Sequence, residues 1–139
     1  MTTDLLVGID GSDNSRAALQ WALDEAELRG ARVRAVLMWS FLGLQGTSMK
    51  VGTTEDDARA MLSEAVGAAA GERADLVDQV VVNDLPVSGL LDQSADCALI
   101  VVGAHGRGGM KGLVLGSVSR TVVERSTIPV VVIPPLTRR

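Results

Sequence analysis

The chain has 139 residues, of which 47% are hydrophobic, 22% are charged and 15 are Gly, and its net charge at pH 7 is −4. This balance excludes a disordered tail and fits one compact domain with a real hydrophobic core. The acidic charge, together with two Trp, one Phe and no Tyr, argues against nucleic-acid binding, which relies on basic surfaces and aromatic stacking platforms.

Strand and helix patterns alternate along the first half of the chain. Residues 4–9 are predicted to form a buried strand, and residues 32–39 a second one. Residues 14–29 repeat apolar side chains at helical spacing, and Gly30 is expected to end that helix in left-handed backbone. Residues 40–54 show no clear period and are predicted to form a loop, which at this length is often functional.

The same alternation continues through the second half. Residues 55–70 are predicted to form a helix that Thr54 and Asp57 begin as a capping box and that Gly71 ends. The remaining predicted elements are a short strand near an edge at 78–82, a helix at 86–95, a strand at 98–102, a helix at 117–125 and a strand at 129–133.

Strands that are apolar almost throughout and are separated by helices are typical of a parallel sheet covered on both faces. Right-handed crossovers then predict an α/β fold, a single-domain doubly wound sheet of five parallel strands in the order 3-2-1-4-5 with about four helices. Ligands bind such sheets beyond the carboxyl ends of the strands, where the strand order reverses. Here that point lies after Asp10 and Gly103.

The charge distribution points to the same place. Residues 1–96 carry 7 basic and 16 acidic side chains, whereas residues 97–139 carry 6 basic and 1 acidic side chain. The C-terminal third is therefore the better place for an anion, and chance segregation of surface charge is the alternative.

Glycines are concentrated in one segment, since six of the 15 lie between residues 103 and 116. Glycine lets a ligand approach the backbone closely, and successive N–H groups in such a turn form an anion-binding nest. Ser117 begins the following helix, whose first N–H groups also attract an anion, and Arg107 and Lys111 add positive charge. The segment predicts a phosphate site, with a flexible surface loop before an ordinary serine cap as the alternative.

Two common phosphate motifs are absent. A Walker A loop places a hydroxyl residue after its lysine, but Gly112 follows Lys111, and residues 8–11 lack the spacing of the dinucleotide fingerprint. His105 is the only histidine, and no catalytic pair can be composed around it from the sequence. We therefore assign no catalytic residue.

The sequence also bears on the compartment. No positive charge precedes the first apolar run, and no apolar run approaches the ~20 residues of a membrane helix. Cys97 is the only cysteine and lies beside the apolar run 98–102, so a buried thiol in a reducing compartment is expected. We predict a cytoplasmic protein with no membrane or nucleic-acid partner.

The glycine segment resembles the nucleotide-binding branch of the universal stress protein family, whose signature is Gly-x2-Gly-x9-Gly-Ser/Thr. Gly103, Gly106, Gly116 and Ser117 match this signature with both gaps intact. The resemblance extends over nearly the whole chain, because the segments 7–12, 17–22 and 129–132 look like the family's first strand, first helix and last strand.

The resemblance implies a universal stress protein domain over residues 1–139, with an adenine nucleotide alpha hydrolase-like fold, and ATP, AMP or cyclic AMP in the cleft. Asp10 would contact the ribose or a Mg²⁺ ion held by the phosphates, although a helix cap after the strand is the alternative for this residue. The Met38 backbone would meet adenine. The phosphate contacts would come from Gly103, Gly106, Arg107, Gly116, Ser117 and Val118. A homodimer would form through the edge strand from Pro129 to Ile133.

One position departs from the family pattern. The family often has Gly two residues before the Pro that opens the third helix, whereas this chain has Asp84 before Pro86. A carboxylate at the rim of the pocket could repel phosphate or narrow the entrance.

Three functions follow as hypotheses. The first is an ATP-binding stress-response protein that acts as a nucleotide-dependent switch, in which binding orders the 40–54 loop and the dimer surface for a protein partner. The second is a slow ATPase or phosphotransferase in which Asp10 holds Mg²⁺. The third is a nucleotide-free interaction protein whose pocket is closed by Asp84 and the loop.

Overall fold

The computed structural model describes residues 3–40, 54–106 and 115–135. Within these ranges, five strands alternate with four α-helices. They are β1 (Leu5–Gly8), α1 (Asp13–Arg29), β2 (Val33–Trp39), α2 (Glu55–Ala70), β3 (Val77–Asn83), α3 (Pro86–Gln93), β4 (Leu99–Gly103), α4 (Ser117–Arg125) and β5 (Val130–Ile133). The predicted loop at 40–54 lies outside the described residues except for its two ends.

The five strands form one parallel sheet in the order β3-β2-β1-β4-β5, which confirms the predicted fold class. The edge strand β3 is longer than predicted, because all seven of its residues pair with the seven residues of β2. The helix predicted at 86–95 ends at Gln93 and continues as a 3-10 turn, Ser94–Asp96. A second 3-10 turn, Gly71–Leu76, follows α2.

The sheet separates two hydrophobic layers. Alternate side chains of β1 point to opposite faces, so Leu5 and Val7 pack with α1 and α2, and Leu6 packs with α3 and α4. Leu19, Leu23, Leu62 and Val66 supply helical side chains to the first layer, and Leu90 and Val122 supply them to the second.

Cys97 is buried in the second layer, as the sequence predicts. Burial raises the pKa of its thiol. A thiol that stays protonated is a poor nucleophile, so this cysteine serves packing.

The predicted helix ends are confirmed in two places. Gly30 has φ +66° and ends α1 in left-handed backbone. Thr54 and Asp57 form a full capping box at the start of α2, with the Thr54 N–H donating to Asp57 Oδ2 and the Asp57 N–H donating to Thr54 Oγ1. Hydrogen bonds from Thr54 hold the pKa of Asp57 below its ordinary value. Among the described helices, none is long and apolar enough to cross a membrane.

Candidate functional site

The central strands β1 and β4 pair side by side, and the chain turns away from their carboxyl ends at residues 9–12 and 104–106. After β1 the chain enters α1 on one face of the sheet, whereas α3 and α4 cover the other face. The strand order therefore reverses between β1 and β4. An open crevice at this point is where doubly wound sheets bind ligands.

The first wall of this crevice is the turn between β1 and α1. Asp10 Oδ1 accepts a hydrogen bond from the Ser12 N–H at 2.9 Å, and Gly11 has φ +84°, a conformation that favours glycine. The residue that caps α1 is Ser12, whose side chain accepts from the Ser15 N–H at 3.1 Å. The alternative interpretation of Asp10 as the helix cap is therefore wrong.

The Asp10 carboxylate faces the glycine segment across the crevice. A Cβ atom on Gly106 would lie only 2.6 Å from Asp10 Oδ2. Glycine at this position thus lets the backbone after β4 pass directly over the carboxylate. Asp10 and Gly106, which the sequence pairs only through the resemblance, are direct neighbours.

Asn14 joins the start of α1 to the turn after β4 and to the end of β5. This residue was not identified from the sequence. Its Oδ1 accepts from the His105 N–H at 2.8 Å, and its Nδ2 donates to the carbonyl oxygens of Ile133 at 3.0 Å and Pro134 at 3.3 Å. The residue is buried. A signal existed, because Asn14 lies four residues before Ala18, on the apolar face of α1 where a polar side chain needs partners.

Gly103 is packed against this asparagine. A Cβ on Gly103 would lie 2.7 Å from Asn14 Cγ and 3.1 Å from its backbone carbonyl carbon. The first signature glycine therefore has a packing reason to be glycine, in addition to any contact with a ligand.

The second wall is the start of α4. The Ala104 carbonyl accepts from the Gly116 N–H and from the buried Ser119 hydroxyl, both at 2.7 Å, so the two ends of the glycine segment are held together. Gly116 is the N-cap, and Ser117 is the first helical residue. Side chains cap α1 and α2, but among the described residues no side chain caps α4.

The remaining predicted site residues take different places. Val118 is half-buried against the second layer, and Ser117 and Val118 line a groove of about 320 Å³ between the starts of α3 and α4. The Met38 side chain is buried against Gly89. Arg107 and Lys111 lie outside the described residues.

Several charged side chains lie at the opposite edge of the sheet, near the amino ends of the strands. Arg34 pairs with Asp96 at 2.9 Å and with Asp4 at 3.8 Å, and Arg32 pairs with Asp78 at 2.8 Å. The hydrogen bond from Arg34 lowers the pKa of Asp96, and that from Arg32 lowers the pKa of Asp78. These pairs lie away from the crevice.

Comparison with known proteins places this geometry in a family. The model of the universal stress protein family matches residues 1–134. A universal stress protein of Mycobacterium tuberculosis is 39% identical over 130 residues, which are 92% of this chain and 44% of that protein. A relative from Mycolicibacterium smegmatis is 38% identical over 136 residues, covering 94% of this chain and 45% of the relative. This chain thus spans less than half the length of these relatives.

Solved structures share the fold over nearly the full chain. A universal stress protein in complex with cAMP has a TM-score of 0.70 and 25% identity, covering 96% of this chain and 97% of its own. A universal stress protein from Archaeoglobus fulgidus in complex with dAMP has a TM-score of 0.67 and 26% identity, covering 94% and 97%. The parallel sheet, the crevice at its centre and these matches together show that the chain belongs to the universal stress protein family.

Proposed function

We propose that the crevice binds an adenine nucleotide, with ATP as the main ligand and AMP or cyclic AMP as alternatives, and that the protein is a nucleotide-dependent switch in the stress response. The observation that carries the proposal is the start of α4, whose first N–H groups have no side-chain cap from any residue that the structure describes. Such N–H groups and the helix dipole bind phosphate. The cAMP and dAMP complexes of similar proteins support an adenine nucleotide.

The proposed pose runs along the crevice. Phosphates would bind the backbone of Gly106, Gly116, Ser117 and Val118, with Gly103 supporting the turn and Arg107 adding positive charge. The carboxylate of Asp10 would accept hydrogen bonds from ribose hydroxyls. Its position directly beside Gly106 supports this role. Adenine would lie at the carboxyl end of β2, where the Met38 backbone would offer hydrogen bonds. The side chains at this end of β2 are buried and apolar.

Magnesium fits this site only together with a nucleotide. Among the described residues no three side chains of the His, Cys, Asp and Glu types converge to hold a metal. Mg²⁺ keeps several waters and binds through one or two carboxylates plus substrate phosphates, so Asp10 is a suitable single protein ligand. The ion would supply positive charge to the phosphates.

Ser117→Pro tests the helix-start interaction directly. Proline is favoured at the first helical position, and Gly116 already has the extended backbone (φ −74°, ψ 172°) that a residue before proline requires. The variant therefore loses one phosphate-binding N–H without losing the helix. We expect isothermal titration to show ATP binding weaker by about ten- to hundredfold, since a hydrogen bond to a charged group is worth about 1.5–3 kcal/mol.

Ser117→Ala is the matched control, because it removes the hydroxyl and keeps the N–H. Equal ATP affinity in the two variants would contradict binding at this amide. Absence of heat from the unmodified protein with ATP, AMP and cyclic AMP would favour the nucleotide-free interaction protein instead.

For the switch, we propose a cytoplasmic homodimer that pairs through β5, with residues 1–139 as one universal stress protein domain. β5 is an edge strand with half-buried apolar residues. Such an edge would favour aggregation if no other strand paired with it. Asn14 links the site to this strand, because it binds both His105 and Ile133. Sedimentation velocity tests the dimer, and a monomer at high micromolar concentration with and without ATP would refute it.

A further inference from the structure

Asp84 follows directly on β3, at the carboxyl edge of the sheet and two strands away from β1. Its backbone N–H donates to the Trp39 carbonyl at 3.1 Å, so the pairing of β3 with β2 continues one residue beyond Asn83. A Cβ on Gly89 would overlap the Met38 side chain and lie 3.6 Å from Asp84 Cβ. Asp84 is thus a direct neighbour of the place proposed for the base.

The Asp84 carboxylate is held in one orientation. Its Oδ1 accepts from the Leu85 N–H and from the Ser88 hydroxyl, both at 2.7 Å. Both bonds use the same oxygen, and within the part of the chain that the structure describes no hydrogen bond to Oδ2 accompanies them. The side chain therefore presents one oriented acceptor at the rim of the crevice.

Position decides between the base and the phosphates as the group that this acceptor meets. Two strands, β2 and β1, separate β3 from β4, so the ends of β3 and β4 are on the order of 14 Å apart at about 4.8 Å per strand. Phosphates at the turn after β4 are therefore the more distant group, whereas the Asp84 N–H bonds the Trp39 carbonyl at the end of β2, where the base is proposed to lie. The start of α4 is nearer than that turn, because Ser88 and Ser117 line one groove, so the ratio of ATP to AMP affinity has to be measured beside the base preference.

We propose that Asp84 is a specificity-determining residue that selects adenine by accepting a hydrogen bond from its exocyclic amino group at Oδ2. The inference rests on the proposed function, because it requires a nucleotide with its base at the end of β2. The amino group of adenine donates hydrogen bonds, and an ionised carboxylate only accepts them. A site built to bond such a donor discriminates strongly against an analogue that lacks it.

The test compares AMP with purine riboside 5′-monophosphate, which is AMP without its amino group, by isothermal titration. The unmodified protein is expected to bind AMP at least tenfold more tightly. Asp84→Asn keeps an oxygen for Leu85 and Ser88 but can present an amide NH₂ in place of Oδ2. We expect it to reduce this preference at least fivefold while leaving the ratio of ATP to AMP affinity unchanged.

Asp92→Asn is the matched control, because it removes one exposed carboxylate from the last turn of α3, the helix that Asp84 precedes, and should leave both ratios unchanged. If Asp84→Asn does not fold, Ser88→Ala provides a second test, since it keeps the carboxylate and removes one bond that orients it. It should reduce the preference for AMP partially.

The possible results distinguish the role of Asp84 from nucleotide binding itself. If the unmodified protein binds AMP, and if Asp84→Asn and Ser88→Ala both show the same preference for the amino group as the unmodified protein, the role of Asp84 is refuted and nucleotide binding stands. A changed ratio of ATP to AMP affinity with an unchanged base preference would show that the carboxylate acts on the phosphates, which also refutes it. If the unmodified protein binds no nucleotide, both proposals fail.

Discussion

Asn14→Ala is expected to lower the free energy of unfolding by about 2–4 kcal/mol, because it removes three hydrogen bonds from a buried position and leaves their partners without them. The His105 N–H loses its acceptor, and the Ile133 and Pro134 carbonyls lose a donor. The Ile133 carbonyl keeps the Ala104 N–H as a donor and Pro134 is exposed, so the expected loss is that of three hydrogen bonds at about 0.5–1.5 kcal/mol each. Urea unfolding followed by circular dichroism measures the change as a shift of the midpoint at constant slope.

Two variants sharpen this experiment. Asn83→Ala removes an exposed asparagine at the end of β3 and is expected to change stability by less than ~0.5 kcal/mol. Asn14→Asp keeps an acceptor for the His105 N–H but turns a second acceptor toward two carbonyl oxygens, so it should also destabilise the protein clearly. If Asn14→Ala is as stable as Asn83→Ala, the bonds of Asn14 contribute nothing net to folding.

Most of the fold could be predicted because its signals are local. Apolar runs, helical spacing and the stop at Gly30 each lie within one element, and the right-handed crossover rule then orders the strands. The end of β3 was harder to place. Its length is set by pairing with β2, so a polar residue such as Asn83 joins the strand because Trp39 lies opposite.

The crevice where the strand order reverses could be predicted from the sequence, but the contacts that support it could not. Asn14 binds partners 91 and 119 residues away, and no local pattern encodes such a pairing. No local pattern assigns a role to Ser119, whereas its hydroxyl holds the ends of the glycine segment together at Ala104. The sequence identifies Asp84 as a departure from the family pattern. The hydrogen bond from Ser88 that orients its carboxylate is seen only in the structure.

The glycine spacing acquires a second physical meaning from these contacts. Gly103 and Gly106 each face a side chain of the segment that follows β1, namely Asn14 and Asp10. A turn that bound phosphate alone would place no demand on these side chains. The two-residue gap brings both glycines over the β1–α1 segment, so the signature also describes how two neighbouring turns pack together.

Gly103→Ala is the second large effect, with an expected loss of about 1–3 kcal/mol from overpacking. The added Cβ would lie 2.7 Å from Asn14 Cγ, which cannot swing away without breaking its three hydrogen bonds. Gly67→Ala is the control, because a Cβ there meets nothing within 4 Å on the exposed face of α2. That change should stabilise the protein by about 0.5–1 kcal/mol through helix propensity.

A double-mutant cycle decides whether Asn14 is the cause. In an Asn14→Ala background the Cγ and Oδ1 atoms are gone, and of the three nearest atoms the backbone carbonyl carbon at 3.1 Å remains. Gly103→Ala should then cost about 1 kcal/mol less than in the unmodified protein, a coupling typical of residues in contact. Additive costs would mean that the new Cβ strains the backbone alone, and Gly103 would then be glycine for the approach of the chain rather than for the side chain that it faces.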